Sequence, residues 1–162
     1  MLGGLVKLIR YMDSLSGPAD LKTVERLLLE SDVTPQDMVE ACKFDSRRYA
    51  RNLLAKSDWY QLLVICWRSG QSSPIHDHIG TACGVRVIAG SATETVYKET
   101  ANGRVRPVSS QVIPAGSVIL SEDEDIHLIT NQDSEQGLVT LHLYTPPLQM
   151  RFYQMEGDWS DS

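Results

Sequence analysis

The 162-residue chain lacks any apolar stretch near the roughly 20 residues needed to cross a bilayer as a helix. A basic cluster is also missing: 15 Lys and Arg are scattered among 21 Asp and Glu, for a net charge of −6. That leaves no electrostatic footprint for a nucleic-acid backbone or an acidic membrane surface, and a small molecule is the expected partner. Cysteine is scarce. Cys42, Cys66 and Cys83 are an odd number at spacings that fit neither a disulfide framework nor a zinc ribbon, so reduced thiols are expected. No internal repeat or low-complexity segment is present, and residues 1–10 lack the charged head and small-residue cleavage site of a secretory signal. The expectation is a cytoplasmic monomer, one domain over residues 1–162, with no nucleic-acid or membrane partner.

What is present divides near residue 48. Residues 1–48 form a helical part, with helix expected to about residue 44. Leu21, Val24 and Leu28 share one stripe, and Thr34-Pro35 offers an N-cap followed by proline at the first helical position. In residues 49–162, β-branched runs from Trp59 onward predict strands over 61–67, 83–89, 93–98, 108–113, 118–120, 126–130 and 138–145. Turn signals such as Gly70-Gln71-Ser72-Ser73-Pro74, Ala89-Gly90-Ser91 and Pro114-Ala115-Gly116 separate them. Many short strands with no intervening helices predict a mainly β fold, a small antiparallel barrel or jelly roll behind two or three short N-terminal α-helices. The acidic run 122–125 reads as a solvated turn, Cys66 as core packing, and Cys42 as an inert thiol on a helix.

All four histidines fall in the β part. Alternate residues of a strand point the same way, so in His76-Asp77-His78 the two imidazoles can hold one ion while Asp77 faces outward. His127, in a His-x-x-x-Asn setting ending at Asn131, can supply a third ligand, giving a metal site of three histidines and no carboxylate. Imidazole suits zinc, copper, nickel and iron, so donor type alone does not name the metal. His142 lies in Thr140-Leu141-His142-Leu143-Tyr144, where alternation sends Thr140, His142 and Tyr144 to one face. That row either lines a site or forms a polar stripe on an edge strand. The abrupt close at Pro146-Pro147 disfavours the stripe.

These residues resemble the cupin superfamily and, within it, the cysteine dioxygenase (thiol dioxygenase) family. Gly70, His76, His78, Cys83 and Gly90 reproduce the spacing of the first cupin motif, with Cys83 where many cupins have a glutamate ligand. His127 and Asn131 are similar to the end of the second motif, without its preceding proline and glycine. Tyr49-Ala50-Arg51-Asn52, Cys66-Trp67, Pro74-Ile75-His76-Asp77-His78, the block 90–95 and Leu141-His142-Leu143-Tyr144-Thr145-Pro146-Pro147 match that family's blocks in the same order.

The resemblance implies a cupin-type barrel over residues 49–162 with one ferrous ion, Fe(II), per chain on His76, His78 and His127. It implies oxidation of L-cysteine by O2 to cysteine sulfinate, both oxygen atoms ending on the sulfur with no external reductant. Arg51 would fix the substrate carboxylate through its rigid, permanently charged fork, with Tyr49 in support. Relatives that act on 3-mercaptopropionate typically have glutamine there, which favours cysteine over 3-mercaptopropionate or another small thiol. The alternative for Arg51 is a surface arginine beside Lys43, Arg47 and Arg48.

Tyr144 matches the family's active-site tyrosine; His142 would orient it, and Thr140, where serine is common, would orient His142. Cys83 matches the cysteine that in animal members is joined to that tyrosine by a thioether; a free buried thiol is the other reading. The resemblance also implies a cis peptide at Thr145-Pro146 and puts Met150 where mammalian members have a cysteine. Trp67 reads as packing behind the site, Asp77 as structural or exposed, and Glu94 as without a metal role. Two other classes remain open: a non-enzymatic metal- or ligand-binding cupin, and a zinc-dependent isomerase or hydrolase.

Overall fold

A computed structural model of the chain describes residues 3–157. Three helices open it: α1 (Gly3–Asp13), α2 (Leu21–Glu30) and α3 (Pro35–Met38). Asp20 caps α2 by accepting from the Thr23 backbone N–H at 2.8 Å, and the predicted stripe buries Val24 and Leu28. At α3 the Thr34 N–H donates to Asp37 Oδ2 at 2.7 Å while Pro35 occupies the first helical turn. Helix stops at Met38 rather than near residue 44, so Cys42 lies beyond the last turn and not on a helix. Val39 is 59% exposed and Phe44 37%, and of this stretch only Ala41 and Cys42 pack against the core.

Seven strands follow: β1 (Ala50–Lys56), β2 (Gln61–Trp67), β3 (His76–Ala89), β4 (Ser91–Glu99), β5 (Val105–Pro114), β6 (Val118–Thr130) and β7 (Leu138–Thr145). All pair antiparallel in the order β1-β2-β7-β3-β6-β4-β5, the mainly β architecture expected. Strand β1 lies outside the strands the sequence predicts, because it carries Arg51, Asn52 and Lys56 at the sheet edge without an apolar rhythm. Pro107 sits inside β5, which tolerates it as the other edge. The acidic run 122–125 is exposed as expected, but it is not a turn: it continues β6 as a bulge. Asp123 takes φ 43°, the β3–β6 register slips between His78 and Ala82, and Asp123 Oδ1 accepts from the Gly80 N–H at 3.0 Å.

The sheet curls on itself. Leu63, Ile65 and Trp67 of β2 share one buried cluster with Ala92 of β4, Ile113 of β5 and Ile129 of β6, although these strands lie far apart in the strand order. The intervening side chains of β2 and β7, including Leu62, Val64, Cys66, Leu141 and Leu143, face the other way and pack with Leu5, Leu8, Met12, Val24 and Leu28 of the helices. Gly84 allows this contact: a Cβ there would meet Leu28 Cδ1 and Val24 Cγ1 at 2.5 Å. The polar side chains of β3, β6 and β7 thus project into the interior of the curl, with the helices closing its outer face. Among the described residues no helix is long and apolar enough to cross a membrane.

Candidate metal centre

Pairing of β3 with β6 sets His76 directly opposite His127, and alternation along β3 puts His78 on the same side. The three imidazoles form a near-equilateral group, with ring centroids 4.8, 4.9 and 5.0 Å apart. One nitrogen from each lies within 4.8 Å of the others, and all three rings are buried. Two outer hydrogen bonds decide which nitrogens are available. His76 Nδ1 is 2.8 Å from the Pro74 carbonyl, which can only accept, so Nδ1 carries the proton and Nε2 keeps its lone pair. His127 Nδ1 is 2.8 Å from Glu94 Oε2, and an ionised carboxylate imposes the same tautomer. His78 Nδ1 is buried with no hydrogen-bond partner.

Burial, reinforced by His127, pushes His76 down to about 4 and His78 down to about 2. Converging imidazole nitrogens are what a divalent ion requires, so the donor set fits a metal. Glu94, for which the sequence suggests no metal role, supports the centre through His127. It is 7% exposed and holds His127, a part that its place two residues from Val96, the partner of His127, makes intelligible.

Asp77 does point away from the histidines, as alternation required, yet it does not face solvent. It is 0% exposed because the segment 149–153 covers it. Arg151 Nε and Nη2 donate to Asp77 Oδ2 at 2.8 and 2.7 Å, and the Tyr153 hydroxyl donates to the same oxygen at 2.7 Å. Backbone bonds from Asp77 N to Arg151 O and from Ile79 N to Gln149 O continue the seam, which brings Met150 to the cavity wall. Asp77 therefore locks the ligand-bearing strand from behind. Asn131 is likewise structural, its Nδ2 donating to the Trp67 and Gln136 carbonyls at 3.0 and 2.9 Å.

Strand β7 lies between β2 and β3, and all eight of its residues are buried, which removes the edge-stripe alternative for Thr140, His142 and Tyr144. They form one chain of contacts. Trp67 Nε1–H donates to Thr140 Oγ1 at 2.9 Å, Thr140 Oγ1 lies 2.7 Å from His142 Nε2, and His142 Nδ1 lies 2.9 Å from the Tyr144 hydroxyl. Indole can only donate, so Thr140 accepts from it and turns its own hydroxyl to His142 Nε2, with the Ile65 carbonyl a longer acceptor at 3.4 Å; Nδ1–H then donates to Tyr144, whose oxygen also meets the Arg51 guanidinium. Trp67 does more than pack: it is the first donor of the row. Complete burial holds His142 well below the ordinary imidazole range, and burial followed by the nearby Cys83 raises the Tyr144 phenol, so the ring stays neutral and the phenol protonated.

Tyr144 and Cys83 are cross-strand partners in the β3–β7 register, both buried and both facing the cavity. Burial pushes the Cys83 thiol up to about 12. Arg51 and Tyr49 enter from β1 and the residues before it. Tyr49 stacks on Trp67 with centroids 4.7 Å apart, and Arg51 lines the cavity while remaining exposed at its rim. No carboxylate among the described residues pairs with Arg51. The three histidines, His142, Tyr144 and Arg51 line one small cavity. The Thr145–Pro146 bond is cis, as the resemblance implied.

The cysteine dioxygenase type I family model matches residues 4–155. A cysteine dioxygenase type 1 of Danio rerio is 30% identical over 143 residues, covering 83% of this chain and 69% of that protein. Among solved structures, a protein with a double-stranded β-helix domain from Klebsiella pneumoniae superposes with a TM-score of 0.61 at 17% identity, over 77% of this chain and 93% of that one. An RmlC-like cupin from Desulfovibrio desulfuricans gives 0.51 at 21%, over 71% and 98%. The structural likenesses establish a cupin fold, and the sequence match is more specific: the chain belongs to the cysteine dioxygenase type I family of dioxygenases, within the cupin superfamily.

Proposed function

We propose that the protein oxidises L-cysteine to cysteine sulfinate with O2 at a single ferrous ion held by His76, His78 and His127. When bound, the ion would bind the thiolate and activate dioxygen. Three neutral ligands leave the centre more positive than a set containing a carboxylate, which favours an anionic sulfur ligand. The observation that carries the reading is the convergence of three free imidazole nitrogens and an Arg51 without a carboxylate partner on one small cavity.

Arg51 clamps the substrate carboxylate by paired charge-assisted hydrogen bonds, and Tyr49, stiffened by its stack on Trp67, shapes the same wall. Tyr144 would offer a phenolic hydrogen bond to the substrate, held in direction by His142 and Thr140. Cys83 and Tyr144 join by a thioether: a bond forms between Cys83 Sγ and the ring carbon beside the hydroxyl as the S–H and that carbon's C–H break, and the two protons and two electrons released reduce one dioxygen to hydrogen peroxide. Their direct cross-strand pairing supports this step. An intact mass lighter by two hydrogens and unaffected by reductant is the expected result.

Oxygen uptake by the iron-loaded protein with a panel of L-cysteine, 3-mercaptopropionate and cysteamine tests the assignment. Cysteine should give the highest kcat/KM. Preference for 3-mercaptopropionate would move the substrate while keeping the chemistry, and no uptake with any thiol would leave a non-enzymatic cupin.

A further inference from the structure

On the outer face of β2, away from the cavity, Cys66 Sγ lies 3.0 Å from Cys42 Sγ. Two sulfur atoms at that distance need to close by only about 1 Å to reach the 2.03–2.05 Å of a disulfide. The two positions differ in access. Cys66 is buried against the helices, whereas Cys42, just past the end of α3, is partly exposed. Asn52 ties the pair to the sheet: its Nδ2 donates to the Lys43 carbonyl at 3.1 Å and lies 3.7 Å from Cys66 Sγ. The third cysteine, Cys83, is across the sheet in the cavity-side cluster and takes no part.

We propose that Cys42 and Cys66 are a reversible dithiol–disulfide pair, oxidised by small-molecule disulfides, that pins the segment 42–49 against β2. The balance is that of thiol–disulfide exchange. The Cys42 thiolate attacks one sulfur of the small disulfide, forming a mixed disulfide and releasing one thiolate. Cys66 then gives up its proton and attacks Cys42 Sγ, releasing the second small thiol, so two electrons and two protons pass to the oxidant. Access fixes this order: Cys42 can be reached from solvent, while burial raises the Cys66 thiol and makes it the resolving partner.

The consequence lies on the opposite face. Cys66 is flanked by Ile65 and Trp67, both cavity-lining, and Asn52 adjoins Arg51. Seven residues beyond Cys42 the chain reaches Tyr49, which stacks on Trp67. Closing the disulfide anchors this stretch at both ends.

The test is equilibration of the purified protein with reduced and oxidised glutathione at stepped ratios, followed by alkylation of remaining thiols and peptide mapping. The expected result is a Cys42–Cys66 linked peptide that increases with the oxidised fraction, disappears on treatment with dithiothreitol, and leaves Cys83 out. Loss of the reductant-sensitive linkage in Cys42→Ser, and a glutathione adduct retained on Cys42 in Cys66→Ala, would complete the assignment. A wild-type protein whose two thiols stay alkylatable at every ratio, or which keeps glutathione on Cys42 without forming the linked peptide, overturns the proposal. Because a thioether resists reductant, this readout is separate from any bond between Cys83 and Tyr144.

Discussion

The Glu94 carboxylate and the His127 imidazole lie 2.8 Å apart on the neighbouring strands β4 and β6, both buried. The contact fixes the His127 tautomer and aims Nε2 at the other two imidazoles. Glu94→Ala should weaken binding of a divalent ion by about 10- to 100-fold, while Glu94→Gln, which keeps an acceptor, should lose less. Metal titration beside far-ultraviolet circular dichroism checks this. Unchanged affinity in Glu94→Ala would remove Glu94 from the centre.

Arg51 lines the cavity and meets the Tyr144 phenol, and it is not among the three histidines that would hold metal. Arg51→Ala should therefore raise KM for cysteine by roughly 10- to 100-fold, the worth of a hydrogen-bonded charge pair, with bound iron unchanged. Steady-state kinetics with iron analysis of the same samples decides it. Parallel loss of iron would give Arg51 a structural role instead.

Tyr144→Phe keeps the ring against His78, whose centroid is 6.3 Å away, and removes the phenol hydroxyl together with the proposed thioether to Cys83. Turnover should fall about tenfold or more with metal content retained. A kcat equal to the parent's would exclude the phenol from the reaction.

His142 is neutral and completely buried, so its pH linkage has a definite sign. Its folded pKa lies below the unfolded value of about 6.5, so below that pH the unfolded chain binds the proton first and stability falls as pH falls. The slope from this group is at most about 1.4 kcal/mol per pH unit. Denaturant unfolding of the metal-free protein between pH 7 and 5 should show a shallower loss in His142→Gln than in the parent. Equal slopes would mean that His142 can take up a proton in the folded state.

Much of this arrangement is legible in the sequence because it rests on strand alternation. His76 with His78, and Thr140 with His142 and Tyr144, are each two residues apart, and the structure puts each set on one face. What pairs across strands is not legible in that way. Glu94 sits among small and hydroxyl side chains in Ser91-Ala92-Thr93-Glu94-Thr95, and only the β4–β6 register brings it to His127. For Asp77 the strand rhythm predicts the direction of its side chain, but the partner that buries it, Arg151, lies 74 residues on. The edge strand β1 has no strand signal because charged and polar residues interrupt it, and the acidic run 122–125 reads as a turn because its charged side chains belong in solvent, where a bulge of β6 puts them. Cys42 and Cys66, 24 residues apart, meet only when the segment after α3 is laid over β2.

The most direct test of the central claim is product analysis after the iron-loaded protein reacts with L-cysteine under isotopically labelled dioxygen. Cysteine sulfinate carrying both labelled oxygen atoms, formed one for each O2 consumed, is the predicted result. Absence of sulfinate and of oxygen consumption, in protein shown to hold iron at the three histidines, would contradict it.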